Sequence, residues 1–159
     1  MARRTQGLEA EEEPALPRAV VERRALRALE AIYRDADALL AQTTCPKSSA
    51  CCRLATTRRE PYLLPLERLR LEGALERQGR GWPQAREDGA CALLDASGLR
   101  CSAYADRPFG CRTYFCARAT GKPVSSAALH RLSARLVAAS DELEPDGRPA
   151  PITALFGPR

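Results

Sequence analysis

Histidine, lysine and aromatic residues are scarce in this 159-residue chain, and each scarcity excludes something. His130 is the single histidine, so a Ser/His/Asp arrangement has no second histidine to draw on. No phosphate-cradling glycine loop is present. Aromatics are 5% of the residues, too few for the stacking platform of a nucleic-acid groove. No run of roughly 18 apolar residues exists, which excludes a transmembrane helix, and no membrane role is expected. Arg3 and Arg4 are followed by Glu9, Glu11, Glu12 and Glu13 rather than by an apolar stretch, so a secretory signal is not expected either. The compartment expected is the reducing cytoplasm.

What is present has a strong bias. Of 25 basic residues, 23 are arginines and only Lys47 and Lys122 are lysines; alanine reaches 28. The arginines alternate with glutamates, as in Glu67-Arg68-Leu69-Arg70-Leu71-Glu72, so the net charge of +5 forms no basic stripe and nucleic acid is not an expected partner. A composition 45% hydrophobic and 28% charged fits one folded domain.

Seven cysteines, Cys45, Cys51, Cys52, Cys91, Cys101, Cys111 and Cys116, all fall in less than half of the chain. A reducing compartment and an odd count argue against a disulfide framework. Ligation of zinc or iron, or of an iron–sulfur cluster, explains the confinement better. The spacing is neither that of a zinc ribbon nor that of a ferredoxin. Seven thiols exceed one four-ligand site, so either three are spare or two centres share the region. Neighbouring side chains diverge from an extended backbone, so Cys51 and Cys52 are not expected to bind one ion simply. Arg53, Arg107, Arg112 and Arg118 lie beside cysteines and offer positive charge, or N–H donors, to thiolates.

Apolar residues recur at three- and four-residue steps from Pro17 to about Ala41 (Val21, Leu26, Leu29, Ile32, Tyr33, Ala36, Leu39, Leu40), predicting an amphipathic helix. A second helix is predicted over 65–78, weakened by Gly73. A third is predicted over 126–143, capped by Ser125, with Leu129, Leu132, Leu136 and Val137 on its buried face. Residues 89–121 hold four cysteines among glycines and prolines and should contain only short strands or single helical turns. The expected fold is mainly α, a small helical domain with an irregular cysteine-rich metal-binding knuckle. Residues 1–16 read as a flexible acidic arm, 17–144 as the single domain with its metal region at 45–118, and 145–159 as a tail packed through Ile152, Leu155 and Phe156.

The block Cys101-Ser102-Ala103-Tyr104-Ala105-Asp106-Arg107-Pro108-Phe109-Gly110-Cys111-Arg112, preceded by Cys51-Cys52-Arg53 and Cys91, resembles the YkgJ-like cysteine-cluster family. That family is described as chelating zinc or iron, sometimes as holding an iron–sulfur cluster. The resemblance covers about residues 45–118 and implies that the seven cysteines are metal ligands, with Arg107 and Arg112 beside the cofactor. Many members carry a further cysteine between the first and the pair, where this chain has Pro46-Lys47-Ser48-Ser49-Ala50. Flagellin lysine methylases look similar over such a cluster, but the chain has no glycine-rich S-adenosylmethionine signature.

Three function classes follow. The first is a thiolate metalloprotein with a protein partner. The second is an iron–sulfur redox or protein-modifying enzyme subunit. The third is a zinc-stabilised nucleic-acid module. Asp106 is expected to orient Arg107 or to cap a turn, and Trp82 either to anchor a partner or to cover the end of the core.

Overall fold

A computed structural model of the chain describes residues 16–46, 48–114 and 119–158. The expectations for residues 1–15, Cys116 and Arg118 lie outside the described residues.

The fold is mainly α, as the periodicity predicts. The long helices fall close to where the apolar steps place them: α1 (Arg18–Leu39), with the four-residue turn α2 (Leu54–Thr57) after it, then α3 (Pro65–Arg77). A second four-residue turn, α4 (Phe109–Arg112), precedes α5 (Ser126–Leu143). Ser125 caps α5, its hydroxyl accepting from the Ala128 N–H at 3.4 Å. Gly73 sits inside α3 without breaking it.

Two apolar cores lie side by side. The first is enclosed by α1 and α5: Leu29, Ile32, Tyr33 and Ala36 meet Leu132, Leu136 and Ala139, closed by Leu66 and Phe109. The second gathers Leu54, Leu63, Leu71, Leu75, Leu93 and Ile152, and it includes Cys91. Helix α3 is the wall between them. Leu66 serves one core while Leu71 and Leu75 serve the other, which explains why its apolar stripe is blurred in sequence. On α5 the predicted face is rotated slightly. Val137 is exposed, and Ala139 and Ser140 are buried instead, because α1 meets α5 along the line of Leu132, Leu136 and Ala139.

Short antiparallel ladders tie the irregular segments down. Strand β1 (Thr43–Thr44) pairs with β3 (Thr120–Gly121), and β2 (Tyr62–Leu63) pairs with β4 (Ala150–Pro151). Gly121 is required in its ladder: at φ +108° a Cβ there would stand 2.0 Å from the Gln42 carbonyl oxygen. The C-terminal segment is held by more than Ile152, Leu155 and Phe156. Its backbone also bonds through β4, and the Gly157 N–H donates to Pro83 O. Trp82 covers the second core, with its indole N–H on Glu72 at 3.1 Å.

Candidate metal centre

The cysteine segments are irregular, so hydrogen-bonded turns rather than helical or sheet periodicity position each thiol. Ala50–Cys52 is a single 3-10 turn entered through Ser49 in the left-handed region at φ 53°. The Cys91 N–H donates to the Cys52 carbonyl at 2.8 Å, which docks the second cysteine segment on the first. Leu94 and Cys101 then form a bridge that closes a hairpin, with Asp95 and a left-handed Gly98 in its turn. The ten-residue step from Cys91 to Cys101 spans that hairpin, whereas the equal step to Cys111 runs through a 3-10 turn and α4. The equal intervals therefore mark no repeat. Arg53 braces the hairpin by donating to Gly98 O and Asp88, both at 3.3 Å. Asp88 is held down to about 2 by its hydrogen bond from Arg86.

Cys51 and Cys52 depart from the sequence expectation. Their backbone is a 3-10 turn and not an extended strand, so the side chains do not diverge: the sulfurs lie 3.9 Å apart. The hydrogen bond the two thiols share, with Arg59 and Arg107 nearby, holds the Cys51 thiol down to about 6; the same bond, burial and neighbouring thiols push Cys52 up. Cys101 stands within electrostatic reach of Cys51, Cys52, Cys91 and Cys111. Burial raises Cys91 to about 12 and also raises Cys101 and Cys111. Cys45 lines the same two cavities as Cys51.

Those cavities, of about 630 and 390 Å³, share Cys45, Cys51, Tyr104 and Tyr114 as walls. The larger adds Ser48, Leu99 and Cys101; the smaller adds Asp37, Cys111 and Arg112. Among the described residues, no three cysteine, histidine or acidic side chains stand close enough to share one ion as they are, so binding would draw thiols together.

The arginines divide by role. Arg107 lies over the Tyr104 ring at 4.0 Å, and its charge favours ionised Cys51 and Cys101. Arg59, which the sequence reading missed, does most for the thiolates. It stacks on Tyr114 at 4.1 Å, donates to the carbonyls of Cys51 and Gly110, and opposes the rise of Cys111 and Cys91. Eight residues beyond Cys51 and in no recognisable motif, it left no signal in the sequence. Arg112 is 5% exposed and turns towards α1: it grips both Asp37 oxygens at 2.8 and 2.7 Å, donates to Ala105 O and covers the Tyr33 ring. Its Nε is buried without a hydrogen-bond partner. Asp106 neither orients Arg107 nor caps a turn. Arg70 takes it at 2.6 Å, because α3 packs against the Tyr104–Asp106 turn.

Glu67 holds the whole block to the helices. Its buried carboxylate accepts from the Phe109 N–H at 2.6 Å, the Tyr33 hydroxyl at 3.0 Å and the Leu64 N–H at 3.1 Å. Burial raises its pKa, and these three donors with Arg112 oppose the rise. The short helix carrying Cys111 is thereby fixed to α1 and α3.

The donor set fits a thiophilic metal. Five thiols form one electrostatic cluster, and guanidinium groups stand beside them to balance thiolate charge. His130 is exposed on α5, away from these elements. No helix among the described residues is long and apolar enough to cross a membrane.

One family model, CxxCxxCC, described as "Putative zinc- or iron-chelating domain", matches residues 44–141. No curated protein matches, and no solved structure does. The name of the family ends on a cysteine pair, and this chain has one such pair, Cys51-Cys52. The match spans most of the chain and all of its described cysteines, and the chain belongs to this cysteine-cluster family of zinc- or iron-chelating domains.

Proposed function

We propose that the chain is a thiolate metalloprotein that holds a single zinc or iron ion on Cys51, Cys52 and Cys101, in a reducing cytoplasm. The observation that carries this reading is the 3.9 Å separation of the Cys51 and Cys52 sulfurs. Two thiolates bound at about 2.3 Å to one tetrahedral ion stand roughly 3.8 Å apart. The terminal thiolates of a cubane cap different iron atoms and stand further apart, so the spacing favours one ion over a cubane. Cys101 supports the trio because it charges against both members of the pair and lines the same cavity as Cys51. Cys91 and Cys111 stand next to the trio, and the stacked Arg59 and Arg107 supply compensating charge. A bound metal would cross-link the 3-10 turn to the hairpin, contributing folding free energy where the apolar core is thin.

The test is metal content, acid-labile sulfide and an absorption spectrum on one sample of anaerobically purified protein. One zinc or iron per chain without labile sulfide is expected, and Cys51→Ser, Cys52→Ser and Cys101→Ser should each lower the content. Stoichiometric sulfide with a brown chromophore would replace this reading by an iron–sulfur protein. Absence of any metal would end it.

A further inference from the structure

Two thiols in contact can be joined to each other, and Cys51 and Cys52 are placed for it. Their sulfurs lie 3.9 Å apart within the 3-10 turn Ala50–Cys52. A disulfide needs about 2.05 Å, so closure asks for a shift of roughly 2 Å shared between two side chains. Among Cys51, Cys52, Cys91, Cys101 and Cys111, this is the pair in contact; the other three act on it only through their charge. The backbone of the turn is held from both directions. Arg59 donates to the Cys51 carbonyl and the Cys91 N–H to the Cys52 carbonyl, so the two sulfurs are kept together by contacts that do not involve them.

The two sulfurs are not equivalent. Both residues are half-buried, but Cys52 packs against the second core and Cys51 belongs to neither core. Cys51 is therefore the one that a reagent from solvent meets first. Neighbouring Cα atoms are about 3.8 Å apart, below the roughly 4.4–6.8 Å that a relaxed disulfide spans, so a bond between them is strained and easily reduced. Such a bond is of the labile, regulatory kind rather than a structural brace.

The geometry points to Cys51-Cys52 as a reversible oxidation site, at which a hydroperoxide converts the two thiols to a disulfide between neighbours. The Cys51 sulfur attacks one peroxide oxygen, the O–O bond breaks, and a Cys51 sulfenic acid and one water result. The Cys52 sulfur then attacks the Cys51 sulfur, the S–O bond breaks, and the hydroxyl leaves as a second water. The two thiols give up two electrons and two protons, and hydrogen peroxide takes up both. Closure uses both sulfurs, so an ion held by them, as proposed above, would be released. The oxidation itself does not need that ion.

The full chain, purified reduced under nitrogen, is treated with one equivalent of hydrogen peroxide, alkylated in denaturant and digested with trypsin. Cleavage after Lys47 and Arg53 places both cysteines, and no third, in the peptide Ser48–Arg53. That peptide should appear unalkylated and about 2 Da lighter than its dithiol form, and dithiothreitol should restore it. In guanidinium chloride, where the turn is lost, its yield should fall roughly tenfold or more. Cys52→Ser should stop at a Cys51 sulfenic acid that dimedone traps, whereas Cys91→Ser should close like the wild type. A Ser48–Arg53 peptide cross-linked to another cysteine peptide would overturn the proposal. So would one that stays fully alkylated, or one that closes as readily in denaturant. Zinc and iron are measured on the same sample before peroxide is added. A chain that holds no metal but closes the pair ends the metal reading alone, and a metalloprotein whose pair stays open ends this proposal alone.

Discussion

The two cores of this molecule are built from opposite materials. Around Leu29, Ile32 and Leu136 the chain runs in two long helices, and the apolar stripe of each is buried by the other. Around Leu71, Leu93 and Ile152 the shared helix α3 is one wall, and the rest is a hairpin, single helical turns and two-residue ladders, with cysteines taking part in the apolar packing. A helix carries its own backbone hydrogen bonds and needs only one face covered. The cysteine region satisfies its backbone by pairing segments distant in sequence, such as Cys91 with Cys52 and Ile152 with Pro61. The first kind of order is local and the second is not. Glu67 joins them, since its carboxylate takes donors from α1, from the start of α3 and from the helix that carries Cys111.

Breaking that joint should have the largest effect. Glu67→Ala leaves the Tyr33 hydroxyl and two backbone N–H groups buried without an acceptor, and about 3–5 kcal/mol of stability should be lost in denaturant unfolding. Glu67→Gln keeps the shape but turns an N–H₂ towards one of the donors, and should lose about 1–3 kcal/mol. The same group gives a pH signature. Its folded pKa is raised, so the folded state binds the proton more tightly than the unfolded chain does. Its contribution is complete below the ordinary carboxylate range and is lost as pH rises through the folded pKa. Between mildly acidic and neutral pH, the wild type should therefore lose stability relative to Glu67→Gln. A flat difference between the two would refute the assignment.

Cavities of equal chemistry separate the two cores next. Leu29→Ala and Leu71→Ala each remove a fully buried leucine and should each cost about 2–5 kcal/mol. A chelator should tell them apart. Hydrogen exchange is expected to quicken around Cys52, Cys91 and Cys101 when metal is removed, while α1 and α5 keep their protection. Equal loss in both regions would mean that one cooperative unit spans both cores.

Smaller effects probe the ladders and the caps. Gly121→Ala would drive a Cβ onto the Gln42 carbonyl and force a strained φ, costing about 1–3 kcal/mol and opening the β1–β3 pairing. Ser125→Ala removes a single long capping bond from α5 and should cost about 1 kcal/mol or less in thermal unfolding.

Residues 17–41 illustrate what a linear reading captures. Their apolar steps name the face that α1 buries, and only Ala25 joins that face unannounced. Val137 shows the limit even within a helix: it sits beside the stripe in sequence but is exposed, because the angle at which α1 meets α5 decides which edge of a stripe is covered. At the site the limit is greater. The double cysteine and the Arg-Pro block were legible as a metal-binding region, but an extended backbone was the wrong frame for Cys51 and Cys52, whose turn brings the sulfurs together. Adjacency also suggested which arginines would serve the thiolates. Arg107 does so, whereas Arg59, adjacent to no cysteine, does so more, and Arg112 next to Cys111 is engaged by Asp37 and Tyr33.

By itself the sequence determined a mainly helical chain, three helix positions and the confinement of the cysteines to one region. Each of these depends on periodicity or composition, which are properties of neighbours along the chain. Only the tertiary structure decided which thiols meet, that α3 serves two cores and that Ser48 lines the cysteine cavity. These depend on the directions of turns and on hydrogen bonds between distant segments, and no local pattern encodes where two such segments will touch.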